Sequence, residues 1–128
     1  WCANLVTGPD GTASAVLLRA GEVVDGLPLA WARRPGARRE RDLARGPAGL
    51  AAVLGLTGPD TGLDVCDPAG RLLVRAGDGH PVTVAAGPRV GVSTAADVPW
   101  RFVETGNPTV SAYRRGTRAT RGSVGTVG

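Results

Sequence analysis

Trp1, Ala3, Leu5 and Thr7 alternate with Cys2, Asn4 and Val6, and because both sets are mostly apolar the opening stretch reads as a β-strand covered on both faces. Gly8-Pro9-Asp10-Gly11 follows with turn chemistry, proline presetting φ and Asp-Gly tolerating a positive one. Ala13 to Ala20 returns as a second strand, its apolar run broken only by Ser14 and Arg19. The pattern is therefore a hairpin that carries an amide, Asn4, and a guanidinium, Arg19, into an apolar layer. A buried polar group without a partner costs about 1–3 kcal/mol, and a charge costs more, so these two side chains need partners in the protein or in a ligand.

Past a bend at Gly21 to Gly26 the period lengthens. Leu27, Ala30, Trp31 and Arg34 share helical spacing, and Pro35-Gly36 stops that helix. Arg38 to Ala44 reads as a short basic helical turn. Gly46-Pro47 opens the clearest helix of the chain, with Leu50, Ala51, Val53 and Leu54 as its apolar stripe and Gly55 at its end. Leu56 to Gly70 is dense in glycine, proline and aspartate and connects, with one turn expected over Gly62 to Cys66. Beyond it Arg71–Ala76, Pro81–Ala86, Arg89–Ser93 and Trp100–Thr105 read as short strands of an antiparallel meander, and Gly106-Asn107-Pro108 as a turn. The expected class is α+β: a single mixed domain over residues 1–113, built on a curved, mostly antiparallel sheet with a few short helices. Residues 114–128 are too polar to pack and read as a disordered basic tail.

A chain of 128 residues can hold one core, but with aromatics at only 4% that core must be filled by aliphatic side chains and alanine. No apolar run reaches the length of a membrane span. Cys2 and Cys66 stand in no metal-ligand spacing and are expected to be free, partly buried thiols in a reducing compartment, with a disulfide as the alternative. The chain lacks methionine and opens inside a strand, which points to a piece of a longer product, with signal-peptide cleavage as the alternative.

All fifteen basic residues are arginine, and the net charge is +4. Six of them lie between Arg33 and Arg45 and four between Arg114 and Arg121, leaving the remainder acidic. Basic blocks on an acidic body suit a polyanion such as nucleic acid, while a solvated arginine face is the equal alternative. Complete catalytic sets are absent from the spacing. His80 stands alone in a Gly-Asp-Gly-His-Pro turn, no glycine loop is followed by a phosphate-binding lysine, and Glu22, Glu40 and Glu104 are scattered.

Six blocks in order carry a resemblance. They are Cys2-x-Asn4, the run Ala15 to Ala20, Gly26-Leu27, Leu43-Ala44-Arg45-Gly46-Pro47-x-x-Leu50 leading to Leu54-Gly55-Leu56, Pro88 to Val92, and Pro99-Trp100-Arg101-Phe102 with Gly106-Asn107-Pro108-x-Val110-Ser111. Together they resemble the 3-methyladenine (alkyladenine) DNA glycosylase family from residue 2 to residue 111. The resemblance implies hydrolysis of the N-glycosidic bond of alkylated purines in duplex DNA, by nucleotide flipping, in base-excision repair and without metal or organic cofactor. Extruding a base costs a few kcal/mol, least for a weakly paired damaged one.

By that resemblance Arg19 matches the arginine that, with a glutamate, positions the attacking water, and Asn4 matches the pocket asparagine that crowds the amine of normal guanine. Val90 and Gly91 match the segment whose backbone lies close to DNA and the flipped nucleotide. Arg33, Arg34 and Arg45 fall where the family's DNA-facing basic surface lies. The ordinary alternatives are a satisfied core amide for Asn4, an ion pair for Arg19 and a bulge for Gly91. The family's catalytic glutamate, stacking aromatics and intercalating tyrosine all precede the match to Trp1, so this polypeptide alone is expected to be inactive. The expected partner is double-stranded DNA with damaged purines, bound by a monomer in the cytoplasm, at the nucleoid if bacterial, and not at a membrane. Two other readings are a non-catalytic arginine-rich nucleic-acid-binding module on a glycosylase-like scaffold, and a gene fragment that misfolds with open sheet edges.

Overall fold

A computed structural model of the chain describes residues 1–113. The expected tail, 114–128, lies outside the described residues. In chain order the elements are β1 (Ala3–Val6), β2 (Ala15–Leu18), α1 (Leu27–Arg33), α2 (Pro47–Leu54), β3 (Val84–Gly87) and β4 (Arg101–Glu104), with single 3-10 turns at Glu40–Asp42 and Gly58–Asp60. This is a small mixed α+β chain whose strands form two antiparallel two-stranded sheets, β1 with β2 and β3 with β4. The contacts divide it into two compact units, Trp1–Val82 with Gly106–Ser111, and Thr83–Thr105 with Ala112 and Tyr113.

The first unit holds the core. Ala3, Ala30, Leu43, Ala44, Leu50 and Ala51 are buried, and Leu43 is wholly so, which is the aliphatic and alanine filling that the scarcity of aromatics requires. The hairpin closes as its turn residues dictate. Gly8 and Gly11 take φ of 86° and 84°, the Thr12 N–H donates to the Pro9 carbonyl, and Thr7 pairs with Ser14 through backbone and hydroxyl. The expected covering of both strand faces is not found. Helix α2 packs on both strands, with Ala3 buried and Leu5 and Leu18 half-buried, while the alternate face is open and Val6 is 81% exposed. One helix can cover only one face of a hairpin, so strict alternation decides which side chains stay wet.

Helix α1 starts with proline in its first turn, where a missing N–H costs nothing. Helix α2 ends in a Schellman motif. Gly55 adopts φ 67°, its N–H donates to the Ala52 carbonyl, and the Leu56 N–H donates to that of Ala51. Two arginines take further carbonyls at this end: Arg33 Nη1 reaches the Val53 oxygen at 2.7 Å and Arg71 Nη2 the Gly55 oxygen at 3.1 Å. The Gly58–Asp60 turn closes through a capping box, the Asp60 carboxylate accepting from the Thr57 N–H at 2.7 Å and from its hydroxyl at 3.1 Å, with Arg71 at 2.9 Å.

Two of the four expected later strands form. Thr83 to Gly87 pairs with Arg101 to Thr105, whereas Arg71–Ala76 and Arg89–Ser93 are irregular. Arg71 is drawn instead to Asp60 and the end of α2. Arg89 turns its Nη2 to the Thr94 carbonyl at 2.8 Å and lays its guanidinium 5.2 Å from the centre of the Trp100 ring. The thiols of Cys2 and Cys66 are free as expected, but exposed rather than partly buried.

Candidate functional site

The register of the first hairpin sets Asn4 directly across from Leu17. Arg19 follows directly on the end of β2, two residues past Leu17, where continued alternation would set it on the face of Asn4, diagonal to it across the ladder. That face is the one α2 leaves open. Asn4 is exposed and Arg19 half-buried, not sunk in an apolar layer as the sequence implied. Neither side chain makes a hydrogen bond or ion pair with any described residue, which removes the readings of a satisfied core amide and a structural ion pair within this part of the chain. An amide and a guanidinium held on a rigid hairpin, with donors and an acceptor unspent, can orient a polar ligand or a water molecule.

The three arginines singled out in the basic block have other employment. Arg33 closes the end of α2, and its guanidinium lies so near Gly55 that a Cβ there would meet it at 2.9 Å. Arg34 is half-buried with its guanidinium against Gly49, and its Nε is buried without a hydrogen-bond partner. Arg45 pairs with Asp42 at 3.2 Å, one turn back. Val90 and Gly91 lie in the irregular segment of the second unit, Val90 half-buried and Gly91 exposed with φ of 73°, in the left-handed region that only glycine enters without strain.

A residue set that the sequence did not bring together lines a cavity of about 620 Å³ in the first unit, among them Glu22, Trp31, Arg39, Glu40, Arg41 and Thr109. Trp31 fits the helical spacing of a core residue, and only the position of the 3-10 turn Glu40–Asp42 brings it into one cavity wall with Arg39, Glu40 and Arg41. A further cavity of about 430 Å³ runs along α1 and α2, past Arg33 and Arg71. Asn4 and Arg19 line neither of these two.

The sequence model of methylpurine-DNA glycosylases matches residues 1–108. The chain belongs to the methylpurine-DNA glycosylase family. Among its relatives, a protein of Nocardia farcinica named "Putative 3-methyladenine DNA glycosylase" is 55% identical over 119 residues, covering 92% of this chain and 56% of the relative. Proteins of the same name from Mycobacterium tuberculosis H37Rv and Mycolicibacterium paratuberculosis are 54% and 51% identical over 118 residues, each covering 92% of this chain and 57% of the relative. The chain thus spans little more than half the length of the curated relatives it matches.

Proposed function

We propose that this chain is the purine-recognising part of a DNA glycosylase that hydrolyses the N-glycosidic bond of alkylated purines in duplex DNA, after flipping the damaged nucleotide out of the helix. What carries the reading is the pair Asn4 and Arg19, unspent on one face of a hairpin inside a chain that belongs to the methylpurine-DNA glycosylase family. A guanidinium there can hold a water or a phosphate near the target sugar, and an amide can meet the edge of a purine and crowd the exocyclic amine of guanine. The hydrolysis requires no cofactor: a carboxylate must take the proton of the attacking water as its oxygen bonds the sugar carbon and the purine leaves with the bond's electrons. By the family resemblance the glutamate that does this precedes the segment matching Trp1, and on that reading this polypeptide alone is inactive. Its place of action is the cytoplasm, on chromosomal DNA, as a monomer.

The experiment compares the 128-residue chain with the protein extended upstream, on duplexes carrying hypoxanthine or 1,N6-ethenoadenine, with abasic sites read as strand breaks. Base release by the extended protein, abolished or cut by about 100-fold in Arg19→Ala, is the expected result for a group that orients the reacting water. No release at high enzyme excess overturns the enzyme reading. Release by the short chain overturns its predicted inactivity.

A further inference from the structure

We propose that the cavity beside Trp31 is a second nucleotide subsite, separate from the Asn4–Arg19 face, taking one unstacked nucleotide with its ring on Trp31 and its phosphate between Arg39 and Arg41. The basic block is divided by use. Arg33 and Arg45 bind the Val53 carbonyl and Asp42, whereas Arg39 and Arg41 make no side-chain hydrogen bond or ion pair with any described residue, and both line the cavity. Glu22 and Glu40 line it too and are equally unpaired among the described residues, although opposite charges share the same wall.

That mixture selects a ligand class. Two carboxylates repel a bare polyanion and ask for donors, which the amino and ring N–H groups of a nucleobase supply. Two guanidiniums ask for an anion with several oxygens, which phosphate supplies in fork geometry. A half-buried indole offers a stacking face for the ring between them. An acidic peptide would meet Glu22 and Glu40 with like charge, and a simple anion would leave them unanswered. The cavity volume of about 620 Å³ lies in the range of small-molecule sites. The 3-10 turn Glu40–Asp42 fixes the wall, since Arg39 enters it extended and the Leu43 N–H closes it on the Glu40 carbonyl. The inference does not rest on base excision, because a chain that never cleaves DNA can hold a nucleotide here.

In a Trp1→Phe/Trp100→Phe background Trp31 is the sole tryptophan, so its fluorescence reports the site. Deoxyadenosine monophosphate and deoxyguanosine monophosphate should quench it saturably, with deoxyadenosine and inorganic phosphate each binding about tenfold more weakly, because each lacks one half of the contacts. Arg39→Ala/Arg41→Ala should weaken binding about tenfold or more, and Arg39→Lys/Arg41→Lys should recover part of it. Arg38→Ala, in the same block but not among the cavity-lining residues, should leave mononucleotide binding unchanged. Tighter binding by a single-stranded oligonucleotide than by the free nucleotide would support the subsite with DNA as its source, and the reverse would support it with a free nucleotide. Absence of saturable quenching at millimolar nucleotide, equal affinity for inorganic phosphate, or indifference to the double alanine variant overturns the proposal.

Discussion

Arg33 is the residue at which charge composition and structure part company. Six arginines in thirteen residues invite an electrostatic reading of the whole block, yet Arg33 donates to a carbonyl at the end of α2, where the partial negative charge of the helix terminus favours a cation. Removing it leaves that carbonyl to solvent and the guanidinium's packing on Gly55 empty. Arg33→Ala should therefore destabilise the fold by about 1 kcal/mol, seen as a lower denaturant midpoint at unchanged slope. Gly55→Ala should cost at least as much, since it meets both a left-handed backbone and that guanidinium.

The Gly58–Asp60 turn follows α2 and depends on one ionised carboxylate. The Thr57 backbone N–H above all, opposed by desolvation and helped by the Thr57 hydroxyl and the charge and hydrogen bond of Arg71, holds the Asp60 carboxyl below its ordinary value. A carboxyl whose folded value is depressed stabilises the native state above the unfolded value, and that contribution is lost as pH falls through the folded one. Stability of this chain should therefore decline on the acid side as Asp60 protonates, and Asp60→Asn should flatten that decline while lowering stability near neutrality. Denaturant titrations from neutral pH down through the carboxylate range check it, and an acid limb identical in both proteins would contradict it. Arg71, bonded at once to Asp60 and to the Gly55 carbonyl, links this turn to the helix end, and the segment Arg71–Ala76 that follows is irregular rather than a strand.

At the scale of the molecule, the net charge of +4 overstates how many cations are available to a polyanion. Arg33, Arg45, Arg71 and Arg89 are spent on carbonyls or carboxylates within the chain, while Arg38, Arg39 and Arg41 are exposed and unengaged among the described residues. If DNA binding releases counterions from phosphates at the latter three, the plot of log affinity against log salt should lose about 2–3 units of slope in Arg38→Ala/Arg39→Ala/Arg41→Ala, whereas Arg45→Ala leaves it unchanged. Filter binding or fluorescence anisotropy across a salt series measures both.

Period and punctuation determined the hairpin, both helices, the turns at Gly8 and Gly106 and the aliphatic core, because these follow from local φ/ψ preference and from which residues can leave water. Ordered short motifs determined the family for the same reason that no single one could, each being too brief to exclude chance. Tertiary structure alone decided which hairpin face α2 covers, hence that Asn4 and Arg19 share an open face. It also decided which arginines close helix ends and which line the cavity with Trp31. Those outcomes turn on where one element's carbonyls and apolar stripe come to rest against another, a relation between residues distant in sequence that no local pattern encodes.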